Sequence, residues 1–130
     1  MGGSSVRPAL HADDRWYPAS AASLRREVES YIARSPQVAL PGKVVALIVP
    51  HAGYFFSGHV AGAGYRQVQA SDYDTVVLVG PDHTGVAFGE LAIPDFNTWR
   101  TPLGDVPVDG DLVTELANHL PLRRVGRETE

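Results

Sequence analysis

The stretch Lys43-Val-Val-Ala-Leu-Ile-Val49, closed by Pro50-His51-Ala52-Gly53-Tyr54, decides the reading of this chain. Its counterpart is Asp74-Thr-Val-Val-Leu-Val79, closed by Gly80-Pro81-Asp82-His83. Short apolar runs rich in Val and Ile, bounded by Pro and Gly, are the pattern of strands buried on both faces of a parallel sheet. Between them, residues 57–69 read as a helix despite Gly58, Gly62 and Gly64, each of which costs roughly 1 kcal/mol relative to alanine. The small-residue face predicts very close packing of this helix on the sheet. Strand, helix and strand form a βαβ unit with a right-handed crossover. Ligands of open α/β sheets bind beyond the carboxyl ends of the strands, and His51 and His83 both fall there. Imidazole is the commonest protein ligand for transition metals, so two on one rim make half of a metal site. Ligands of one ion should bring their nitrogens within roughly 4 Å of each other.

Outward from this core, Ser20 or Ser23 can cap a helix with an apolar face of Leu24, Val28, Tyr31 and Ile32, which Ser35-Pro36 ends. Beyond His83, Glu90–Ile93 and Val106–Val108 look like short strands around Trp99-Arg-Thr-Pro-Leu-Gly104. A last helix starts near Asp109 or Asp111 and covers Leu112, Val113 and Leu116. The expected fold class is α/β, a mixed sheet with a parallel βαβ core and flanking helices. Two central strands need neighbours on both edges, and the remaining residues do not supply them. The expectation is therefore that residues 1–130 are the N-terminal portion of a single longer domain.

Composition narrows the function classes. The formal net charge of −4 argues against nucleic acid as a partner. The basic residues Arg123, Arg124 and Arg127 read as a solvated tail. No cysteine is present, so these residues supply no disulfide and no thiolate ligand. No apolar run approaches the ~18 residues of a membrane span, and the first residues lack the apolar core of a signal peptide. A cytoplasmic protein without membrane association is the expectation.

Each candidate residue also has a plain structural reading. On the residues alone, His51 is as readily a turn histidine bonded to backbone as a ligand, because Pro-His-Ala-Gly is not a metal signature by itself. Asp82, beside His83, can serve as an acceptor that fixes an imidazole tautomer. His59 reads as a surface residue inside the glycine-rich helix, and His11 and His119 as solvent-exposed. Gly53 and Gly58 serve backbone geometry, through positive φ or close approach. A phosphate loop is rejected, since the His51 turn lacks the glycine spacing and the lysine. A Ser57 hydrolase fails for want of a Gly-x-Ser-x-Gly elbow.

Taken together, Trp16-Tyr17-Pro18, Pro50-His51-Ala52-Gly53-Tyr54 with Ser57-Gly58, Gly80-Pro81-Asp82-His83, Trp99 with Thr101-Pro102-Leu103-Gly104, and Val108-Asp109 occur in an order that resembles the Memo family. Its bacterial members are called AmmeMemoRadiSam system protein B. The resemblance runs from about Arg7 to the last residue. It implies an α/β fold similar to the LigB-type class III extradiol dioxygenases, and members about twice this length. By resemblance, His51 and His83 match two ligands of a metal site for iron or copper, the third being a cysteine in the C-terminal half. Trp16 and Tyr54 match aromatic residues lining the same pocket, with Asp82 beside it as a substrate-side group. The activity implied is metal-dependent redox chemistry. The alternative is a non-catalytic module recognising a peptide or aromatic small molecule in that pocket. Family association also points to AMMECR-type and radical SAM proteins as partners.

Overall fold

A computed structural model describes residues 5–69, 73–85 and 89–125. The chain divides into two compact units, Leu10–Tyr73 and a second formed by Met1–Ala9 with Asp74–Glu130. Three helices and five strands are present among the described residues, so the fold class is α/β as expected.

In the first unit, α1 (Ala21–Arg34) packs against α2 (Tyr54–Arg66). Helix α1 begins where a cap is available: the Ser20 hydroxyl accepts from the Ser23 N–H at 3.5 Å. It ends at Ser35, since the residue before Pro36 resists the helical conformation. Its apolar face is the one the 3.6-residue period predicts, with Leu24 buried and Val28, Tyr31 and Ile32 half-buried.

Helix α2 packs more closely than a helix bearing side chains could. A Cβ at Gly58 would lie 2.7 Å from Tyr31 Cζ, and one at Gly62 only 2.9 Å from the Tyr31 carbonyl carbon and oxygen. The close-packing partner is thus Tyr31 of α1 rather than a sheet. Gly64 alone faces the expected strand segment, where a Cβ would meet Val49 Cγ1 at 2.7 Å.

The second unit holds the sheets. Strand β1 (Val6–Arg7) runs parallel to β3 (Thr98–Thr101), which pairs antiparallel with β4 (Gly104–Pro107). The β3–β4 turn is Pro102-Leu103, and Gly104 adopts φ 133°, a conformation that side chains disfavour. Across the hairpin, Arg100 and Asp105 form a two-pronged ion pair with both contacts at 2.9 Å. Strand β2 (Leu91–Pro94) pairs parallel with β5 (Leu122–Val125), and α3 (Gly110–His119) lies in the connection between them. Asp109 caps α3, its carboxylate accepting from the Leu112 N–H at 3.0 Å. Ile93, Phe96 and Val125 form the buried apolar core of this unit. Arg7 is buried with its guanidinium 4.3 Å above the Trp99 ring.

Two expectations are corrected here. The segments Lys43–Val49 and Asp74–Val79 are neither helix nor paired strand, and the parallel pairing falls instead on β2 and β5. A doubly buried strand requires ladder partners on its edges and cover on both faces. The first segment is fastened by side chains instead: the Tyr73 hydroxyl donates to the Val44 carbonyl at 2.7 Å. Just upstream, the Gln67 amide accepts from the Val38 N–H at 2.9 Å and donates to the Pro36 carbonyl at 3.0 Å. The second correction concerns Arg123 and Arg124, read as a solvated tail. Both lie in β5, 3.6 Å from Glu90 and 4.0 Å from Asp95 respectively; Arg127 lies outside the described residues.

Because Val45, Ile48 and Val79 are 94%, 101% and 88% exposed, contiguous apolar runs face water, a condition that promotes association. The isolated chain should therefore form larger species in light scattering as its concentration rises, and Ile48→Lys combined with Val77→Lys should suppress this. A monomer radius independent of concentration would contradict the expectation.

Candidate functional site

The residues singled out by motif fall on two local features. The first is built at the head of α2. That helix has Gly53 as its N-cap and no side-chain cap, so its first N–H groups need acceptors from elsewhere. The Trp16 carbonyl supplies one, accepting from the Tyr54 N–H at 2.8 Å. The N-terminal arm is thereby fixed to the helix end that follows the His51 turn. Ser57 secures the turn from the other side, its buried hydroxyl donating to the Ala52 carbonyl at 2.8 Å. The placing of Ser57-Gly58 behind the histidine thus has a physical account: the serine ties the turn down and the glycine admits Tyr31. Gly53 departs from expectation, with φ −51° and a Cβ position no closer than 3.4 Å to Arg15 O, so alanine would fit there.

Aromatic rings gather around this point. The Tyr17 and Tyr54 rings lie 5.7 Å apart, and Tyr31 meets Tyr54 edge-on at 6.4 Å. Trp16 is 48% exposed and its ring centroid lies 5.6 Å from that of His11. Burial holds the Tyr54 phenol above its usual titration range, with the neighbouring Tyr17 adding to the effect. The Tyr54 phenol is therefore neutral at physiological pH and able to donate a hydrogen bond.

Tyr31 was placed on the helix face by period alone, and its wider role was missed. Its hydroxyl donates to Glu27 Oε1 at 2.8 Å and lies 3.2 Å from the Tyr54 carbonyl oxygen. The Gly58-x-x-x-Gly62 spacing was the available signal, since glycines four apart make a groove for a bulky partner. Burial, with the Glu27 carboxylate beside it, raises the Tyr31 pKa above its ordinary 10.0. The protonated phenol is favoured in the folded state, so its contribution is complete below pH 10 and is lost as pH rises through the folded value. Tyr31→Phe should cost about 1 kcal/mol at neutral pH, the usual worth of one hydrogen bond. It should also flatten the alkaline fall in stability, measurable by urea unfolding between neutral pH and pH values above 10. An unchanged alkaline profile would contradict this assignment.

The second feature is the Asp82 turn. Asp82 Oδ1 accepts from the Thr84 N–H at 2.8 Å, the Thr84 hydroxyl at 2.7 Å and the Gly85 N–H at 3.1 Å. Gly85 takes φ 74° to close the turn. Asp82 thus organises the loop that carries His83.

His51 is exposed in the first unit and His83 exposed in the second. The structure brings Trp16 and Tyr54 together within one unit, beside the turn that bears His51. His59 and His119 are exposed, as read from the sequence, whereas His11 is half-buried with its ring near that of Trp16. Among the described residues no three His, Asp or Glu side chains gather as a cluster able to hold a metal ion. No described helix is long and apolar enough to cross a membrane.

Comparison with known proteins bears on these features. The model of the family described as Memo-like protein matches residues 7–129. A Caenorhabditis elegans protein named memo-1 homolog is 37% identical over 115 residues, covering 88% of this chain and 31% of its own length. The Danio rerio protein MEMO1 is 32% identical over 124 residues, covering 95% of this chain and 40% of its own. A MEMO1 family protein of Thermococcus kodakarensis is 41% identical over 76 residues, 58% of this chain and 26% of its own length. The chain therefore spans well under half of the curated relatives it matches, which are longer than the twofold length expected from the resemblance.

Proposed function

We propose, since this chain belongs to the Memo-like protein family, that it contributes His51 and His83 to a site for iron or copper at which an aromatic or peptide ligand leans on Trp16 and Tyr54. The observation that carries this reading is the hydrogen bond from the Tyr54 N–H to the Trp16 carbonyl. It ties the arm carrying Trp16 to the helix end immediately following the His51 turn. The donor set fits such an ion in kind, since neutral imidazole suits both iron and copper. It does not fit in number, because such sites commonly take three or more protein ligands. On this reading the remaining ligand, a cysteine by family resemblance, lies in the part of the relatives that this chain does not span. The ion would act as a Lewis acid or electron carrier when bound. Asp82 organises the His83 loop, the Tyr54 phenol offers a proton-bearing donor, and Trp16 presents a half-exposed face.

A second reading rests on the same cluster. The Tyr17 and Tyr54 rings are neighbours within one unit and the Trp16 backbone is bonded to Tyr54, which suits recognition of an aromatic group without turnover. Partners of AMMECR or radical SAM type, and a cytoplasmic setting, are proposals of the family association alone. Elemental analysis of a full-length relative loaded with Fe²⁺ or Cu²⁺ separates the two readings, since this chain alone should hold the ion poorly. The metal reading expects alanine at either position matching His51 or His83 to lose most of the bound ion, and full occupancy in both variants would leave the binding-module reading in its place.

A further inference from the structure

We propose that Asp13 is the positioning residue that holds Trp16 in place, resting on the reading of Trp16 as a wall of the ligand site. The arm carrying Trp16 has no regular secondary structure, so its peptide groups need particular partners to be fixed. The Trp16 carbonyl is taken by the Tyr54 N–H. The Trp16 N–H is taken by Asp13 Oδ1 at 3.3 Å, and the same oxygen accepts from the Arg15 N–H at 3.1 Å. Asp13 Oδ2 meets Arg15 Nε at 2.8 Å and its terminal nitrogen at 2.7 Å.

The next residue closes the loop. Asp14 adopts φ 64°, uncommon outside glycine. Its N–H donates to the Tyr17 carbonyl at 3.2 Å and its carboxylate accepts from the Ala19 N–H at 2.9 Å. A backbone held in such a conformation persists only where surrounding bonds over-determine it. Both peptide groups of Trp16 are thus engaged while the residue stays nearly half exposed. This arrangement presents a side chain; burial does not account for it. The division of labour on Asp13 is specific: Oδ1 holds the Trp16 backbone, and the exposed Arg15 pair on Oδ2 adds little.

The test uses the full chain labelled with 5-fluorotryptophan, whose two tryptophans give two fluorine resonances assigned by Trp16→Phe. Trp99 lies in the other unit and serves as an internal reference, and retained far-ultraviolet circular dichroism shows that α1 and α2 are intact. Asp13→Ala should move the Trp16 resonance toward the free-tryptophan position, raising the released population about fivefold, the weight of one lost hydrogen bond. Asp13→Asn keeps the Oδ1 acceptor and should leave the resonance near its parent position, as should Arg15→Ala. A Trp16 resonance unmoved in Asp13→Ala, or moved equally in Asp13→Asn and Arg15→Ala, would overturn the proposal. Binding of 4-nitrocatechol, followed by its absorbance shift, tests the wall reading separately. If Trp16→Ala binds this probe like the parent while Asp13→Ala still frees the indole, the positioning role stands and the wall reading falls.

Discussion

Gly62→Ala should destabilise the helical unit by about 1–2 kcal/mol, although glycine to alanine inside a helix ordinarily gains about 1 kcal/mol. The sign turns on what the new methyl meets. At Gly62 it would lie 2.8 Å from Tyr31 Cβ and 2.9 Å from the Tyr31 carbonyl carbon and oxygen. Backbone atoms of a helix cannot step aside, so α1 and α2 must separate, and overpacking of this kind costs roughly 1–3 kcal/mol. Gly110→Ala, with nothing within 4 Å, should by contrast stabilise α3. Gly64→Ala should fall between, because its nearest neighbour is a single methyl of Val49 that can rotate. Urea unfolding of the three variants, followed by far-ultraviolet circular dichroism, checks the order. Stabilisation at Gly62 matching that at Gly110 would mean the two helices are not in the contact described.

The elements that the sequence made legible were those specified by local chemistry. Ser20 and Asp109 announce helix starts through side chains that bond their own helix ends, and Pro36 announces a stop. The Pro102-Leu103-Gly104 turn needs a positive φ that glycine supplies. Less legible was everything decided by a distant partner. Lys43–Val49 has the composition of a central strand, but a ladder exists only where a second strand supplies its N–H and C=O groups. Strand β5 was hidden for the opposite reason. Arg123 and Arg124 mark it as polar, whereas its place is set by Val125 beneath and by Glu90 and Asp95 nearby.

The same division applies to the site. His51, His83, Trp16 and Tyr54 were found from motif order. Motif order could not show that the Trp16 carbonyl caps α2, or that Ser57 and Tyr31 brace the same helix end. The Trp16 and Tyr31 bonds join residues 38 and 23 positions apart in the chain, and all three leave only a faint trace in the spacing of small residues.

The largest expected effect falls on metal affinity. On the proposed reading, two imidazoles that bind one ion gain from chelation. Such linkage strengthens binding by ~10²–10⁴, so His51→Ala and His83→Ala should each weaken Cu²⁺ binding at least about a hundredfold. Both residues are exposed, so neither substitution should unfold the chain. Loss of metal would then not be a consequence of unfolding. Two histidines acting independently would give a different pattern, each variant retaining half of the sites at unchanged affinity.

Pulsed electron paramagnetic resonance of the Cu²⁺-loaded chain, with nitrogen-15 in histidine, counts the coordinated imidazoles directly. At substoichiometric copper the account predicts two imidazole couplings in the parent chain and one in each of His51→Ala and His83→Ala. A single coupling in the parent, or two that survive in either variant, would contradict the claim that His51 and His83 hold one ion.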